Sequence, residues 1–96
     1  MRVLVTGGSE GIGLAIAVLA ARAGADVEIW ARDPDKLSKA KEASGAKRVQ
    51  SVDVRDMASV RAAVEQTLAG GRIDRLFHCA GYAQAAFIDQ ASDDDA

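Results

Sequence analysis

The sequence predicts an α/β fold, a parallel sheet with helices between its strands, and three observations lead there. Short β-branched, apolar runs alternate with helical patterns in the order β-α-β-α-β-α-β. The first run, Val3-Leu4-Val5-Thr6, is apolar almost throughout, as a strand covered on both faces must be. That run passes through glycines directly into a helix, with no linker, repeat or low-complexity stretch anywhere in the order.

Each element has its own signature. After the first strand, Ile12, Ile16, Leu19, Ala20 and Ala23 recur at helical spacing and form the expected buried face, with Gly24 ending the helix at C′. Val27-Glu28-Ile29-Trp30 is the second strand. Asp33 and Pro34 open the next helix, the aspartate as N-cap and the proline at the first helical position. Lys36, Lys39 and Lys41 give that helix a solvated outer face. A third strand runs roughly from Arg48 to Val52. Met57, Val60, Val64 and Leu68 mark the expected buried stripe of a third helix, stopped by Gly70-Gly71. Arg75-Leu76-Phe77-His78 is the fourth strand. Ser92-Asp93-Asp94-Asp95 has the form of a further helix start, a serine cap followed by acids, or else of a solvated acidic terminus.

Composition narrows the function. With 96 residues, 49% hydrophobic, 27% charged and a net charge of -2, the profile is that of one small globular domain spanning residues 1–96. No basic block collects phosphate-binding charge, which argues against nucleic acid as a partner. No apolar run approaches the ~20 residues of a transmembrane segment, and the run from Met1 to Val5 is too short for a signal peptide. The single cysteine, Cys79, excludes an intramolecular disulfide and fits a reducing compartment, so the cytoplasm is the default location.

Thr6-Gly7-Gly8-Ser9-Glu10-Gly11-Ile12-Gly13 carries the strongest chemical signal. It follows a strand and opens a helix, the context a phosphate-cradling loop needs. Gly7 permits the tight turn, Gly11 lets backbone approach a pyrophosphate, and Gly13 lets the helix pack closely. The helix N-terminus then presents free N–H groups and partial positive charge to the phosphates. The competing reading is a glycine-rich turn without a ligand.

The spacing G-x-x-x-G-I-G after threonine resembles the classical short-chain dehydrogenase/reductase family. Three more stretches agree in register: Ala31-Arg32-Asp33-Pro34-Asp35-Lys36-Leu37, Asp53-Val54 after the third strand, and His78-Cys79-Ala80-Gly81 closing the fourth. The resemblance implies a Rossmann-like, doubly wound sheet, of which this chain holds the first four strands in the order 3-2-1-4. It also implies that the chain is the N-terminal, dinucleotide-binding part of a longer protein. Asp53 would then accept from the adenine amino group while the Val54 backbone donates to a ring nitrogen. Ala80 and Gly81 would leave room for the nicotinamide ribose. Asp53 has a plainer alternative as a turn residue, although Asp56 is the better-placed helix cap.

Charge argues for NADP(H) over NAD(H). NAD enzymes place an acid at the end of the second strand to bind the ribose 2′-hydroxyl. Here that position is Ala31, followed by Arg32, whose planar guanidinium suits a 2′-phosphate, and Lys36 lies one helical turn on. Glu10 argues the other way, because many NADP-preferring members of the resembled family carry a basic residue there. Arg32 and Lys36 also have a plainer reading as a solvated helix start near Asp33 and Asp35. Cys79 reads as a buried small hydrophobe, and His78 as a hydrogen-bonded strand-end residue rather than a base.

The resemblance further implies catalysis by an Asn, a Ser and a Tyr-x-x-x-Lys. The one tyrosine, Tyr82, is followed four positions later by Ala86 and falls too early, so no catalytic residue is assigned in these 96 residues, nor any metal site. The expectation is a parent oxidoreductase acting on a carbonyl or alcohol substrate with NADP(H), and a 96-residue chain without turnover. Thr6-Gly7-Gly8-Ser9, Ala31-Arg32 with Lys36-Leu37, and Cys79-Ala80-Gly81 most resemble 3-ketodihydrosphingosine reductases. A generic carbonyl or 3-oxoacyl reductase stays open, as does a non-catalytic nucleotide-binding or interaction module. A sheet ending at the fourth strand should expose an edge beside Leu76-Phe77, and Phe87 and Ile88 should lack partners, favouring a homo-oligomer or aggregate.

Overall fold

The computed structural model describes residues 1–79 and the strand Ala85–Ile88. In chain order the elements are β1 (Arg2–Thr6), α1 (Gly11–Arg22), β2 (Asp26–Ala31), α2 (Pro34–Ser44), β3 (Arg48–Ser51), α3 (Met57–Ala69), β4 (Arg75–Cys79) and β5 (Ala85–Ile88). Strands β1 to β4 pair in parallel in the order 3-2-1-4, with Val5 opposite Ile29 on one side and Phe77 on the other. Central β1 and β2 are buried on both faces, which is why they are apolar nearly without alternation.

The two faces hold separate cores. Against α1 and α2 lie Val3, Val5, Val27 and Ile29 with Ala17, Leu37 and Ala40. Against α3 lie Leu4, Trp30, Val52 and Ala63. Helix ends follow the local signals. Asp33 accepts from the Asp35 and Lys36 backbone N–H groups ahead of Pro34, and Gly24 takes the positive φ (95°) expected just past α1.

Three expectations change. In α1 the buried positions are Gly13 and Ala17, with Ile16 and Ala20 partly buried, whereas Ile12 and Leu19 face outward, Leu19 at 66% exposure. In α3 Ala63 and Thr67 are buried and Val60 half-buried, while Met57, Val64 and Leu68 are exposed. Helix α1 lies close on β1, β2 and β4, and a close approach places small side chains at the contact and turns large ones aside, while on α3 the buried side chains are those that meet Leu4, Trp30, Val52 and Glu28. The third change is at the edge. β5 pairs antiparallel with β4, Phe87 opposite Phe77 and Ile88 opposite Leu76, so the β4 edge expected to be open is covered.

The α3 face also buries a carboxylate. Glu28 is 1% exposed and accepts from Trp30 Nε1 (2.9 Å), Gln50 Nε2 (2.7 Å) and Thr67 Oγ1 (2.8 Å), with Arg2 at 3.5 Å. Burial pushes its pKa up, but the donors from Gln50, Trp30 and Thr67, with the Arg2 charge, together outweigh burial and hold the carboxyl below its ordinary range.

Candidate functional site

Four strands deliver their carboxyl ends to one cleft of about 920 Å³, between the β1–α1 loop, the segments after β2 and β3, and His78 and Cys79 at the end of β4. In a doubly wound sheet this is where ligands bind, because at β1 the strand order reverses and the loops part. The lining includes Gly7, Ser9, Glu10, Gly11, Ile12, Gly13, Arg32, Lys36, Asp53 and Val54, so ten of the positions singled out in the sequence converge there. Ala80 and Gly81, and also Tyr82, lie outside the described residues.

The loop is shaped by its glycines. Gly7 sits at φ 74°, and a Cβ there would run into the Cys79 carbonyl oxygen. A Cβ on Gly13 would collide with the Gly7 carbonyl, so the glycine is needed for packing against the loop's own backbone rather than against the sheet. Gly11, at φ 62°, differs: a Cβ there meets no protein atom, because it would project into open space. Glu10 stands at the N-cap of α1 in an extended conformation, yet its side chain makes no capping bond. The first turn of α1 therefore keeps its N–H groups open at the cleft, a donor set suited to a phosphate.

Charged groups rim the far side. Arg32 follows β2, and Ser51 Oγ donates to its carbonyl (2.8 Å), tying the β2 and β3 ends together. Lys36 Nζ lies 3.1 Å from Glu10 Oε1, an ion pair spanning the cleft mouth from α2 to the glycine loop. Asp53 accepts from the Arg55 backbone N–H (3.0 Å) and from Arg55 Nε (3.2 Å). Arg55, with lesser help from Arg32, lowers the Asp53 pKa and keeps it an acceptor. The helix cap is Asp56, which accepts from the Ala58 N–H. Arg55 was not singled out in the sequence, although Asp-x-Arg in a turn is the pattern that would have suggested it.

At the floor, Thr6 Oγ1 and His78 Nδ1 share a 2.7 Å hydrogen bond, so His78 is a bonded strand-end residue. Cys79 is buried, and burial pushes its thiol pKa up, away from the reactive thiolate. Among the described residues no helix is long and apolar enough to cross a membrane.

Comparison with known proteins agrees with this geometry. The sequence matches the short chain dehydrogenase family over residues 1–96. It is 44% identical over 79 residues to a 3-dehydrosphinganine reductase of Arabidopsis thaliana, covering 77% of this chain and 23% of that enzyme. A short chain dehydrogenase from Bacillus anthracis superposes with a TM-score of 0.76 at 34% identity, over 82% of this chain and 34% of that one. An NADPH-bound short chain oxidoreductase from Pseudomonas aeruginosa, described as having an atypical catalytic center, gives 0.72 at 39% identity, over 78% and 32%. The chain thus spans well under half the length of each of these proteins. Family match, sheet order and loop geometry converge: the chain belongs to the short chain dehydrogenase family.

Proposed function

We propose that this chain is the NADP(H)-binding part of an oxidoreductase acting on a carbonyl or alcohol substrate. One observation carries the cofactor preference: Arg32 and Lys36 line the cleft at the end of β2, where Ala31 stands in place of an acid. The Gly7–Gly13 loop, with Ser9 and Ile12, holds the pyrophosphate on the open α1 N-terminus. Arg32 takes the 2′-phosphate, Asp53 and the Val54 backbone hold the adenine, and the resemblance of Cys79-Ala80-Gly81 to the family motif assigns Ala80 and Gly81, outside the described residues, to the nicotinamide ribose side. The bound cofactor supplies the hydride chemistry; these residues bind and orient it. NADPH bound to the Pseudomonas aeruginosa relative supports the reading by likeness. The likeness to 3-dehydrosphinganine reductases makes a long-chain keto substrate the first to try for the whole protein. The unpaired Cys79 fits a cytoplasmic setting.

Two substitutions separate the roles in calorimetric titrations of both cofactors. Gly11→Val, at a positive φ facing the cleft, is expected to weaken NADPH and NADH together. Arg32→Ala is expected to weaken NADPH about ten- to a hundred-fold, the worth of one charge-assisted hydrogen bond, and to leave NADH nearly unchanged. Equal losses on Arg32→Ala would make the arginine a surface residue and remove the NADP assignment. The alternative reading is a non-catalytic nucleotide-binding or interaction module. A Tyr-x-x-x-Lys encoded about sixty residues beyond Ala96 would favour the enzyme; a stop codon after Ala96 would favour the module.

A further inference from the structure

The largest side chain of the protein borders the cleft and is turned away from it. Gln50, Trp30, Thr6 and His78 stand side by side across β3, β2, β1 and β4, in a row near the carboxyl ends of the strands. Trp30 lines the cleft, yet it is only 4% exposed, and it packs on the α3 side with Leu4, Val52 and Ala63. Its backbone is fixed by the sheet and the glycine loop, since the Trp30 carbonyl accepts from the Gly7 N–H at 2.7 Å. Its indole is held by a single polar bond: Nε1 donates to Glu28 Oε2 at 2.9 Å, two residues back along β2 and further from the opening. The same oxygen also accepts from Gln50 Nε2 at 2.7 Å and Thr67 Oγ1 at 2.8 Å. Holding all three donors calls for a charged oxygen, because an amide oxygen has two lone pairs to offer and its own N–H₂ would face those donors.

We propose that Glu28 is a positioning residue for the cleft: it holds the Trp30 indole down against the α3 side and so keeps the space over the ends of β2 and β3 open to a ligand. The inference rests on the reading of that space as the adenosine side of a dinucleotide site. An indole N–H that loses its buried acceptor is costly where it lies, whereas the cleft offers it water. Swung up, the ring would compete with the adenine for the surface beside Val52 and Val54. If the released indole fills that space in about two thirds to nine tenths of molecules, apparent affinity falls about three- to ten-fold.

Trp30 is the one tryptophan, so its fluorescence reports its own surroundings. The test is a double-mutant cycle on the 96-residue chain: emission is recorded without ligand, and NADPH and ADP are titrated into wild type, Glu28→Gln, Trp30→Phe and the double variant. Thr67→Val runs alongside as a control for lost stability, because it removes a donor from the same oxygen and leaves the indole bond in place. Glu28→Gln is expected to shift Trp30 emission to the red and to weaken both ligands about three- to ten-fold. In the Trp30→Phe background, where the ring is smaller and has no N–H, the same change is expected to leave affinity where it was. Thr67→Val is expected to keep wild-type emission and affinity. Glu28→Asp keeps the charge and withdraws the oxygens by one methylene; it is expected to act as Glu28→Gln does, and it is the variant to read if Glu28→Gln does not fold. Unshifted emission, an affinity loss that persists in the Trp30→Phe background, or an equal loss in Thr67→Val would overturn the proposal. Unchanged affinity in the Glu28 variants, with NADPH still bound by wild type, sinks this inference alone. Failure of wild type to bind NADPH or ADP sinks the cofactor reading and the inference with it.

Discussion

Glu28 is the residue around which the α3 face is organised. One carboxylate, in the middle of a buried strand, collects donors from β2, β3 and α3, and the guanidinium of Arg2 on β1 stands beside it. Removing its charge leaves three donors facing a weaker acceptor in a dry setting, a costly arrangement. Glu28→Gln is expected to destabilise the chain by about 2 kcal/mol at pH 7, or roughly 8–16 °C in Tm. Because the folded pKa is depressed, this stabilisation is complete above the unfolded value of about 4.5 and fades as pH falls through the folded one. Melts at pH 7 and at successively lower pH should therefore show the gap between wild type and Glu28→Gln closing only below about pH 4.5. A gap constant down to pH 3 would deny Glu28 this role. In the sequence Glu28 looks like an ordinary strand residue; its partners come from 22 and 39 residues away, at Gln50 and Thr67.

At the scale of elements, helix and strand types followed from local signals, while the buried face of a helix did not. The stripe Met57, Val60, Val64 and Leu68 has good helical spacing, yet Ala63 is 4% exposed and Leu68 55%. Thr67 bonds to Glu28 and Ala63 packs with Leu4, Trp30 and Val52, so the sheet's polar centre turns α3 toward its small side. Ala63→Leu should overpack this contact and cost about 1–3 kcal/mol. Leu68→Gln should change stability by no more than about 0.5 kcal/mol. Chemical denaturation of the two variants measures both, and the reverse order would restore the stripe read from the sequence. By contrast, the start of α2 is legible, because Asp33 and Pro34 act through their own backbone geometry, while the left-handed Gly45 that ends it was not singled out in the sequence.

For the whole molecule, the 3-2-1-4 order gathers the loop after β1 and the ends of β2 and β3 into one cleft, with His78 and Cys79 of β4 beside them. The edge behaves differently from the sequence expectation, since β5 lies along β4. The Leu76–Cys79 amides that face away from β1 should therefore be protected in hydrogen exchange, and sedimentation should show no association through the β4 edge. Fast exchange at all of those amides, with a concentration-dependent dimer, would return the open edge. The antiparallel pairing was missed because Ala85–Ile88 is a short apolar run and Gly81, a turn signal between it and β4, was assigned to the cofactor site instead.

What the sequence determined by itself is whatever depends on near neighbours: strand and helix types, the Asp33 and Gly24 helix ends, and the Gly7–Gly13 loop with its positive φ angles at Gly7 and Gly11. The cleft's membership was legible too, since a doubly wound order sends every strand's carboxyl end to one side. Tertiary structure alone decided the pairings between groups far apart in the chain. Glu28 with Gln50 and Thr67, Lys36 with Glu10, Thr6 with His78, and the inward faces of α1 and α3 belong to that set. Side-chain partners across elements depend on rotation and approach, which packing fixes only once the sheet is assembled.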